Sequence, residues 1–428
     1  MKNLLSASAL ASALLIGCAP PPEPAPQRAQ PTQTATPTAV AAPPTACVAL
    51  DTLPRERRDY EPAAGRTRAC GVRSNVAFDV TVLTTALSAP WAVEPLPGGA
   101  LLVTEKTGQM RRVSATGEVG PPIAGVPAVV ARGQGGLLDV ALSPRFATDR
   151  TIFWSYTEPR EGGNGTSVAR GVLSEDGTRL DQVQVILRTR PTYTNNLHYG
   201  SRLTFAPDGM LFVTVGERSD STTRYQAQRL DSHFGKVLRI QQDGSPAPGN
   251  PFIGRADALP EIWSYGHRNP QGAALDAQGR LWAVEHGPRG GDELNLIQPG
   301  RNYGWPVISY GIDYPGNPLR YPGGPATGAE LQRTGMEQPV YYWDPVIAPG
   351  GVQFYSGDAF PAWRGSLFVG GMRATRLVRL VIENDRVVGE EHLLADRAQR
   401  VRDVRQGANG ELYIVTDGGQ LWRITPRG

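Results

Sequence analysis

Residues 203–213 read Leu-Thr-Phe-Ala-Pro-Asp-Gly-Met-Leu-Phe-Val, which is a short apolar strand, an Asp-Gly turn and a second apolar strand. An Asp-Gly turn between two apolar runs is a strong signal for a β-hairpin. The same pattern recurs five more times, at intervals of roughly 45 to 85 residues, as internal repeats do. The other copies lie at 92–103, 139–154, 273–284, 352–369 and 401–415.

Six copies of an antiparallel unit predict a repeat architecture, and their length suits blades of four strands each. We therefore predict an all-β, six-bladed β-propeller of four-stranded antiparallel blades over residues 76–428. A pair of β-sandwiches and a β-helix are the alternatives. A ring of blades needs closure, because an open terminal blade exposes sheet edges. The alternating apolar stretch at 76–82 is placed to complete the last blade as an N-terminal strand beside residues 401–424.

The first 46 residues have the character of an export signal followed by a tether. Residues 1–17 carry Lys2 and an apolar run that is too short to span a bilayer comfortably. Leu-Ile-Gly-Cys at 15–18 resembles a lipobox, so we expect lipidation of Cys18; a plain secretory signal is the alternative. Residues 18–46 contain nine prolines and almost no apolar bulk, which predicts a disordered spacer. Ala19, rather than Asp, favours the outer membrane, facing the periplasm.

The remaining two cysteines form an even pair in an exported chain, so we predict a disulfide between Cys47 and Cys70. A loop of that size contributes about 3 kcal/mol to stability in the chain-entropy estimate. The disulfide would constrain an arginine-rich lead-in, residues 47–75, whose composition does not predict a fold of its own.

Charge and composition exclude some partners. The 43 basic and 40 acidic residues nearly cancel, and no basic stripe with interleaved aromatic residues occurs. Nucleic acid is therefore not an expected partner. No apolar run is long enough to cross a membrane, so any membrane contact is expected through the lipid anchor alone.

His198 is the candidate general base. Only five histidines occur, and this one stands in a polar, glycine-containing turn just before a strand. A neutral imidazole accepts a proton from a hydroxyl group. The hairpin that starts at Leu203 returns at Glu217, whose carboxylate would fix the imidazole tautomer and stabilise the imidazolium. Taken alone, a histidine such as His198 is more often a structural hydrogen-bonding residue than a catalytic base.

Two motifs further along the chain offer donors and metal ligands. Arg268 and Asn269 precede a proline and present fixed donors suited to a carbonyl or an oxyanion. The alternative for this pair is a solvated turn. Segments 285–295 and 302–306 combine carbonyls exposed by Gly and Pro with acidic side chains, and this combination suits calcium without the spacing of an EF-hand.

Cationic side chains lie at the ends of the last two predicted blades, in segments 371–373 and 399–403. Arg400 and Arg402 stand two apart on a strand, so they share one side of it and could grip carboxylates. Surface arginines are common, and either could be merely solvated.

Together the motifs His-x-Gly-Ser-Arg-Leu (198–203), Gly-His-Arg-Asn-Pro-Gln-Gly (266–272), Glu-His-Gly-Pro-Arg-Gly-Gly-Asp-Glu (285–293), Asn-Tyr-Gly-Trp-Pro (302–306) and Gln-Arg-Val-Arg-Asp-Val (399–404) resemble one known family. The chain is similar to the soluble PQQ-dependent aldose sugar dehydrogenases, relatives of soluble quinoprotein glucose dehydrogenase, over about residues 76–425. The resemblance implies oxidation of aldose sugars at the anomeric carbon to the lactone. In this family PQQ accepts the hydride, and an electron acceptor that the sequence does not identify reoxidises it.

The resemblance also implies roles for individual residues. His198, Glu217 and Arg268 match the catalytic base, its acidic partner and the arginine beside the reactive carbonyl. The matches to cofactor-binding positions are Gln134, Arg268, Asn269, Tyr314, Gly371, Met372, Arg373, Arg400, Val401 and Arg402. The carbonyls of Gly287 and Pro288 match ligands of a calcium ion at PQQ, and Glu293 and Tyr303 match ligands of a second, structural calcium ion. Relatives commonly place Lys where this chain has Arg373, so the fit of the cofactor could shift.

Two other functions share this kind of fold. A calcium-dependent propeller hydrolase or lactonase is the first, although its metal is usually held by side-chain Asp, Asn and Glu in the tunnel. A non-catalytic binding propeller at the cell surface is the second. The sequence does not fix the preferred sugar, the natural electron acceptor or the oligomeric state.

Overall fold

A computed structural model describes residues 47–428. The predicted signal peptide, Cys18 and the tether to residue 46 lie outside the described residues, and their roles stay predictions. The described chain is almost entirely β-structure, with one short α-helix at Phe146–Asp149 and 3₁₀ turns at Arg224–Gln228, Pro361–Trp363 and Ala395–Arg397. Across residues 47–428, no helix has the length and apolar character needed to cross a membrane.

The strands form six antiparallel sheets, and we number these blades 1 to 6 along the chain. Blade 1 comprises Pro90–Pro95, Leu101–Glu105, Gln109–Val113 and Val119–Pro122. Blade 2 comprises Leu137–Leu142, Thr151–Arg160, Gly163–Leu173 and Leu180–Arg188. Blade 3 comprises Leu203–Phe205, Leu211–Val215, Lys236–Ile240 and Ile262–Tyr265.

The second half of the ring repeats this arrangement. Blade 4 comprises Pro270–Leu275, Leu281–Glu285, Asp292–Leu296 and Tyr341–Trp343. Blade 5 comprises Pro349–Phe354, Leu367–Gly371, Arg376–Glu383 and Arg386–Leu393. Blade 6 comprises Val401–Gln406, Leu412–Thr416, Leu421–Pro426 and, from the other end of the propeller, Phe78–Thr84. The prediction of an all-β, six-bladed propeller is confirmed.

The glycine turns produce the hairpins in the way that the sequence predicts. In blade 3, the Asp208 carboxylate accepts the N–H of Met210 at 3.0 Å, and Gly209 has φ +81°. Glycine adopts that left-handed backbone conformation without a steric penalty. The N–H of Ala206 donates to the Met210 carbonyl at 2.8 Å, which starts the ladder between Leu203–Phe205 and Leu211–Val215.

The hydrophobic core lies between the blades. Six clusters of buried apolar side chains fill the six gaps between neighbouring blades of the described chain. Large aromatic side chains occupy the centres of several gaps: Trp154 lies between blades 1 and 2, Trp282 between blades 4 and 5, and Trp422 between blades 5 and 6. Each blade therefore depends on both neighbours for the burial of its apolar faces.

The ring closes through the predicted N-terminal strand. Phe78–Thr84 pairs antiparallel with Leu421–Pro426, and Val80 lies opposite Ile424. Phe78 and Val80 pack against the cluster between blades 5 and 6. Blade 6 is thus assembled from both ends of the propeller, which removes its open edge.

The lead-in, residues 47–75, packs outside the ring. Cys47 and Cys70 form a disulfide with a Cα–Cα separation of 4.9 Å. Cys70–Gly71 adds a short fifth strand to blade 5, parallel to Arg386–Leu393.

We predict that Val80→Asp lowers the free energy of unfolding by about 2 kcal/mol or more, because it places a charge without a partner among apolar side chains. Val82→Asp is the matched control, since Val82 lies on the same strand and is 43% exposed. Thermal and denaturant unfolding would measure both variants. Equal stability of the two would contradict the role given to the closing strand.

Candidate active site

The candidate site residues gather at one end of the propeller channel, and strand direction explains why. In each blade the first strand starts at this end and the antiparallel second strand returns to it. His198 and Arg268 precede the first strands of blades 3 and 4, respectively. Arg402 lies at the start of the first strand of blade 6. Glu217 follows the second strand of blade 3, and Arg373 follows that of blade 5.

His198 and Glu217 form a buried pair. The ring nitrogen Nδ1 of His198 is 3.0 Å from Oε1 of Glu217, and the two side chains are 4% and 1% exposed. A carboxylate accepts the hydrogen bond, so Nδ1 carries the proton and the neutral ring keeps a free lone pair on Nε2. Within the described residues, Nε2 of His198 makes no hydrogen bond.

The loop that carries His198 is held from both sides. The side-chain oxygen of Gln134 accepts the backbone N–H of His198 at 2.9 Å, and the N–H of Gln134 donates to the Asn196 carbonyl at 2.8 Å. Arg218, which sequence analysis missed, is buried and donates to the carbonyls of Leu197 (3.0 Å) and Asn195 (2.5 Å). These bonds fix His198 in a left-handed backbone conformation, φ +47°, which few non-glycine residues adopt.

The surroundings of His198 favour the neutral imidazole. Burial lowers the pKa of His198 from its ordinary value, and the positive charge of Arg268 lowers it further. Glu217 opposes both effects and raises the pKa, but it does not cancel them. The imidazole of His198 therefore stays neutral to lower pH than an ordinary histidine does.

Arg268 and Asn269 keep buried donors without partners. Arg268 donates to the Gly287 carbonyl at 2.7 Å and to the Tyr314 hydroxyl at 3.2 Å, while its Nε has no partner among the described residues. Asn269 accepts the N–H of Gly200 at 3.0 Å through Oδ1, and its Nδ2 also lacks a partner in the described chain. Buried donors without partners are rare and costly, so they suit a bound acceptor.

Arg400 and Arg402 share one carboxylate, that of Asp417. Arg400 Nε donates to Asp417 at 2.7 Å and Arg402 Nε at 2.7 Å, and Arg402 also donates to Gln271 at 3.0 Å. Burial raises the pKa of Asp417, but the two guanidinium groups lower it by more, so the carboxylate stays ionised. Two cations on one anion leave a net positive charge for a ligand.

The neighbours of this pair complete a group of cations. The Met372 carbonyl accepts a hydrogen bond from Arg400 at 3.2 Å, while Arg373 extends an exposed side chain beside it. Burial lowers the pKa of Lys106, and the positive charges of Arg402 and Arg400 lower it further. We call Lys106, Arg373, Arg400 and Arg402 the cationic cluster. Gly371 and Val401 supply backbone within neighbouring strands.

His286 connects the cationic cluster with the His198 side of the channel. The pKa of His286 is lowered to about 3, first by burial and then by nearby His198, Arg268 and Arg402. His286 also donates from Nε2 to the Pro349 carbonyl at 2.8 Å, and the carbonyl of His286 accepts a hydrogen bond from Arg268 at 3.0 Å. Gln271 makes the same connection, since it is three residues from Arg268 and bonds to Arg402.

Sequence analysis missed Lys106, His286 and Asp417 as site residues, although a signal for them exists. Each is the first residue after the second strand of its blade, in blades 1, 4 and 6. Glu217 and Arg373 occupy the next position in blades 3 and 5. Aligning the six repeats at the end of the second strand would have selected all five.

The four predicted metal ligands line a single small pocket. Gly287, Pro288, Glu293 and Tyr303 surround it together with Glu285 and Arg268. Glu285 and Glu293 face each other across two strands of blade 4. Burial raises the pKa of Glu293, and the carboxylate of Glu285 raises it further. Adjacent buried carboxylates are stabilised by a cation.

Backbone carbonyl oxygens of Gly287 and Pro288 also lie beside this pocket. The Pro288 carbonyl accepts no hydrogen bond from the described residues, whereas that of Gly287 accepts one from Arg268. Asp292, missed in sequence analysis, accepts the N–H groups of Gly287 (2.8 Å) and Ala348 (2.7 Å) and so orients this turn. No group of three or more Asp, Glu, His or Cys side chains in residues 47–428 is arranged to hold a metal. A cation here would thus combine carbonyl oxygens with the carboxylates of Glu285 and Glu293.

Fold and site together define a six-bladed propeller with a buried histidine–glutamate pair and a cationic cluster at one end of its channel. Residues 87–423 match the family model of the glucose/sorbosone dehydrogenases, and the chain belongs to this family. The resemblance noted in the sequence motifs is thereby confirmed.

Individual relatives agree with this assignment. The chain is 42% identical over 354 residues to the aldose sugar dehydrogenase YliI of Escherichia coli K12, covering 82% of this chain and 93% of the relative. The apo crystal structure of the soluble aldose sugar dehydrogenase from Escherichia coli is similar with a TM-score of 0.77 and 40% identity, covering 82% and 100% of the two chains. A PQQ-bound aldose sugar dehydrogenase from Streptomyces coelicolor gives a TM-score of 0.66 at 32% identity, over 82% and 99%.

We predict that Glu217→Gln lowers the pKa of His198 further, because it removes the charge that raises this pKa. NMR titration of the imidazole resonances would measure the shift, with His198→Gln used to assign the signal. Glu261→Gln is the matched control, since Glu261 lies 3.6 Å from the buried His233 instead. A His198 pKa that rises or stays constant in Glu217→Gln would contradict the coupling of this pair.

Proposed function

We propose that this protein is a PQQ-dependent sugar dehydrogenase that oxidises aldoses at the anomeric carbon to the lactone. Membership of a sugar dehydrogenase family supports sugar oxidation in general. The observation that carries the finer proposal is the grouping, at one channel end, of the His198–Glu217 pair, two donors without partners and the cationic cluster.

The chemistry of PQQ matches this set of residues. PQQ has three carboxylates and an ortho-quinone, so it needs cations, hydrogen-bond donors and a hard divalent ion. We assign the carboxylates to the cationic cluster, since charge-assisted bonds from guanidinium groups to carboxylates are strong and directional. Arg268 and Asn269 would donate to the quinone oxygens through the free Nε and Nδ2 atoms. When bound, PQQ supplies the acceptor for the hydride that leaves the anomeric carbon.

Calcium is proposed at two places around the pocket of blade 4. The carbonyls of Gly287 and Pro288 would hold the ion that polarises the quinone as a Lewis acid. Glu293, with the carbonyl of Tyr303, would hold a structural ion. The facing carboxylates of Glu285 and Glu293 favour a cation there, because Glu285 raises the electrostatic cost of ionising Glu293.

The chain's own groups manage the proton. Nε2 of His198 takes the proton of the anomeric hydroxyl, and a neutral imidazole is required for that step. Glu217 holds the proton on Nδ1 and stabilises the imidazolium that forms. Arg268 places a positive charge beside the site, which lowers the pKa of His198 and stabilises developing negative charge. The sugar would then have lost one proton to His198 and one hydride to the bound cofactor, and the loss of both yields the lactone.

Reconstitution tests the proposal. Purified apo-protein mixed with PQQ and calcium chloride should gain sugar-dependent reduction of an artificial dye, and the assay can be run across mono- and disaccharides. His198→Gln should retain bound PQQ yet lose about 10²–10⁴-fold in turnover, the usual contribution of a general base. His392→Gln, on the outer strand of blade 5, is the matched control. Lactone hydrolysis without PQQ would indicate the hydrolase instead, and no activity would indicate a binding propeller.

A second variant isolates the binding of the cofactor. Arg402→Ala should weaken PQQ binding about tenfold or more, because a hydrogen bond to a charged group contributes about 1.5–3 kcal/mol. The dissociation constant can be measured by equilibrium titration without sugar. Arg179→Ala removes an exposed arginine beside the outer strand of blade 2 and should leave it unchanged. An unaltered affinity in Arg402→Ala would remove Arg402 from the cofactor site.

A further inference from the structure

The lead-in contacts the loops beside the candidate metal pocket. It lies outside the residues 87–423 that the family model matches. Its disulfide and the short strand Cys70–Gly71 attach one end of it to blade 5. Between the two cysteines the chain runs along the end of blade 4, where it reaches segments 286–291 and 307–312. These segments are irregular, and their main link is the isolated bridge between Arg289 and Ile312.

The first contact is centred on Asp344. This side chain is buried, and its carboxylate accepts the backbone N–H groups of Glu56 at 2.8 Å and Arg57 at 3.2 Å. The backbone carbonyl of Asp344 accepts a hydrogen bond at 3.2 Å from the side chain of Arg68, which lies near the C-terminal end of the lead-in. Asp344 also lies against Gly290, since a Cβ atom there would be 2.7 Å from Oδ1. The lead-in is thus linked, through Asp344, to the turn that presents the Gly287 and Pro288 carbonyls.

The second contact is with segment 307–312. Arg57 Nη1 donates to the Ser309 carbonyl at 2.5 Å, and Ser309 lines the candidate metal pocket. Tyr60 packs on Tyr310, with ring centroids 5.7 Å apart, and Tyr310 stacks on Tyr342 at 4.0 Å. The lead-in therefore reaches both walls of the pocket.

The contacts differ in strength. Glu56 and Arg289 form an ion pair at 2.7 Å, but the arginine side chain is 44% exposed, and pairs of this kind contribute little in water. The Asp344 and Ser309 contacts are buried or partly buried and involve a charged group, so they are the stronger ones. Within the propeller the two segments belong to no blade strand and are held by single backbone bonds, such as Gly291 N–H to Trp343 and Ser309 N–H to Glu330, both at 2.9 Å. The lead-in therefore adds bonds to segments that have few ladder bonds of their own.

We infer that the disulfide-stapled lead-in is a positioning element that orders segments 286–291 and 307–312 and thereby sets the affinity of the pocket for calcium. Arg57 is its principal positioning residue, because it alone joins the Asp344 contact to the Ser309 contact. The calcium consequence rests on the proposed function, whereas the ordering of the loops does not.

Hydrogen–deuterium exchange on the full-length apo-protein tests the ordering directly. Arg57→Ala should accelerate exchange in segments 286–291 and 307–312 about tenfold, and leave exchange in Leu101–Glu105 of blade 1 unchanged. Arg58→Ala is the matched control, because its guanidinium bonds only within the lead-in, to the Arg55 carbonyl. Reduction of the wild-type disulfide by dithiothreitol should have the same effect as Arg57→Ala and requires no variant to fold.

Calorimetric titration with calcium chloride, without PQQ, gives the second measurement. Arg57→Ala and the reduced protein should bind calcium about tenfold more weakly, Arg57→Lys should fall between, and Arg58→Ala should match the wild type. Unchanged exchange in both segments after Arg57→Ala and after reduction would overturn the inference. Accelerated exchange with no calcium binding even in the wild type would support the ordering role and contradict the calcium site of the proposed function.

Discussion

The position of the whole site depends on one buried ion cluster on the channel axis. Arg202 is fully buried and lies 2.8 Å from Asp139 of blade 2 and 3.1 Å from Asp403 of blade 6. Burying these charges is costly, and removal of one partner from such a cluster typically costs about 3–5 kcal/mol. The cluster therefore admits few other arrangements of the three blades. Arg202 follows His198 by four residues and Asp403 follows Arg402 directly, so the cluster that joins the blades also fixes the positions of His198 and Arg402.

The fold could be predicted from sequence because its determinants are local and repeated. Each Asp-Gly or glycine turn defines a hairpin by itself, and six copies leave few alternatives to a ring. Closure by Phe78–Thr84 was predictable as well, since an alternating strand without a partner precedes the first repeat and the last repeat lacks a fourth strand. His198, Arg268 and Arg402 stood out because each occurs in a motif beside the start of a strand.

The partners of those residues were harder to find, because they come from distant parts of the chain. Asp417 belongs to the site because its strand returns beside Arg400 and Arg402. Arg218 belongs to it because its side chain turns back to the loop before His198. Asp344 resembles any acidic residue at the end of a strand, yet it receives two backbone N–H groups from a segment 287 and 288 residues away. Local patterns carry no information on such pairings, which depend on the closed ring.

The contrast between the packed blade strands and the loops at the channel end explains where a segment outside the ring, such as the lead-in, can act on this site. The strands are packed on both sides by the clusters between blades, and their inner ends are held by Arg202 and its partners. A segment outside the ring has little influence on them. Segments 286–291 and 307–312 belong to no blade strand, are joined to each other by the Arg289–Ile312 bridge, and receive bonds from the lead-in. The lead-in contacts these loops, so it can alter the carbonyls of Gly287 and Pro288 while the position of His198 stays fixed by the axis.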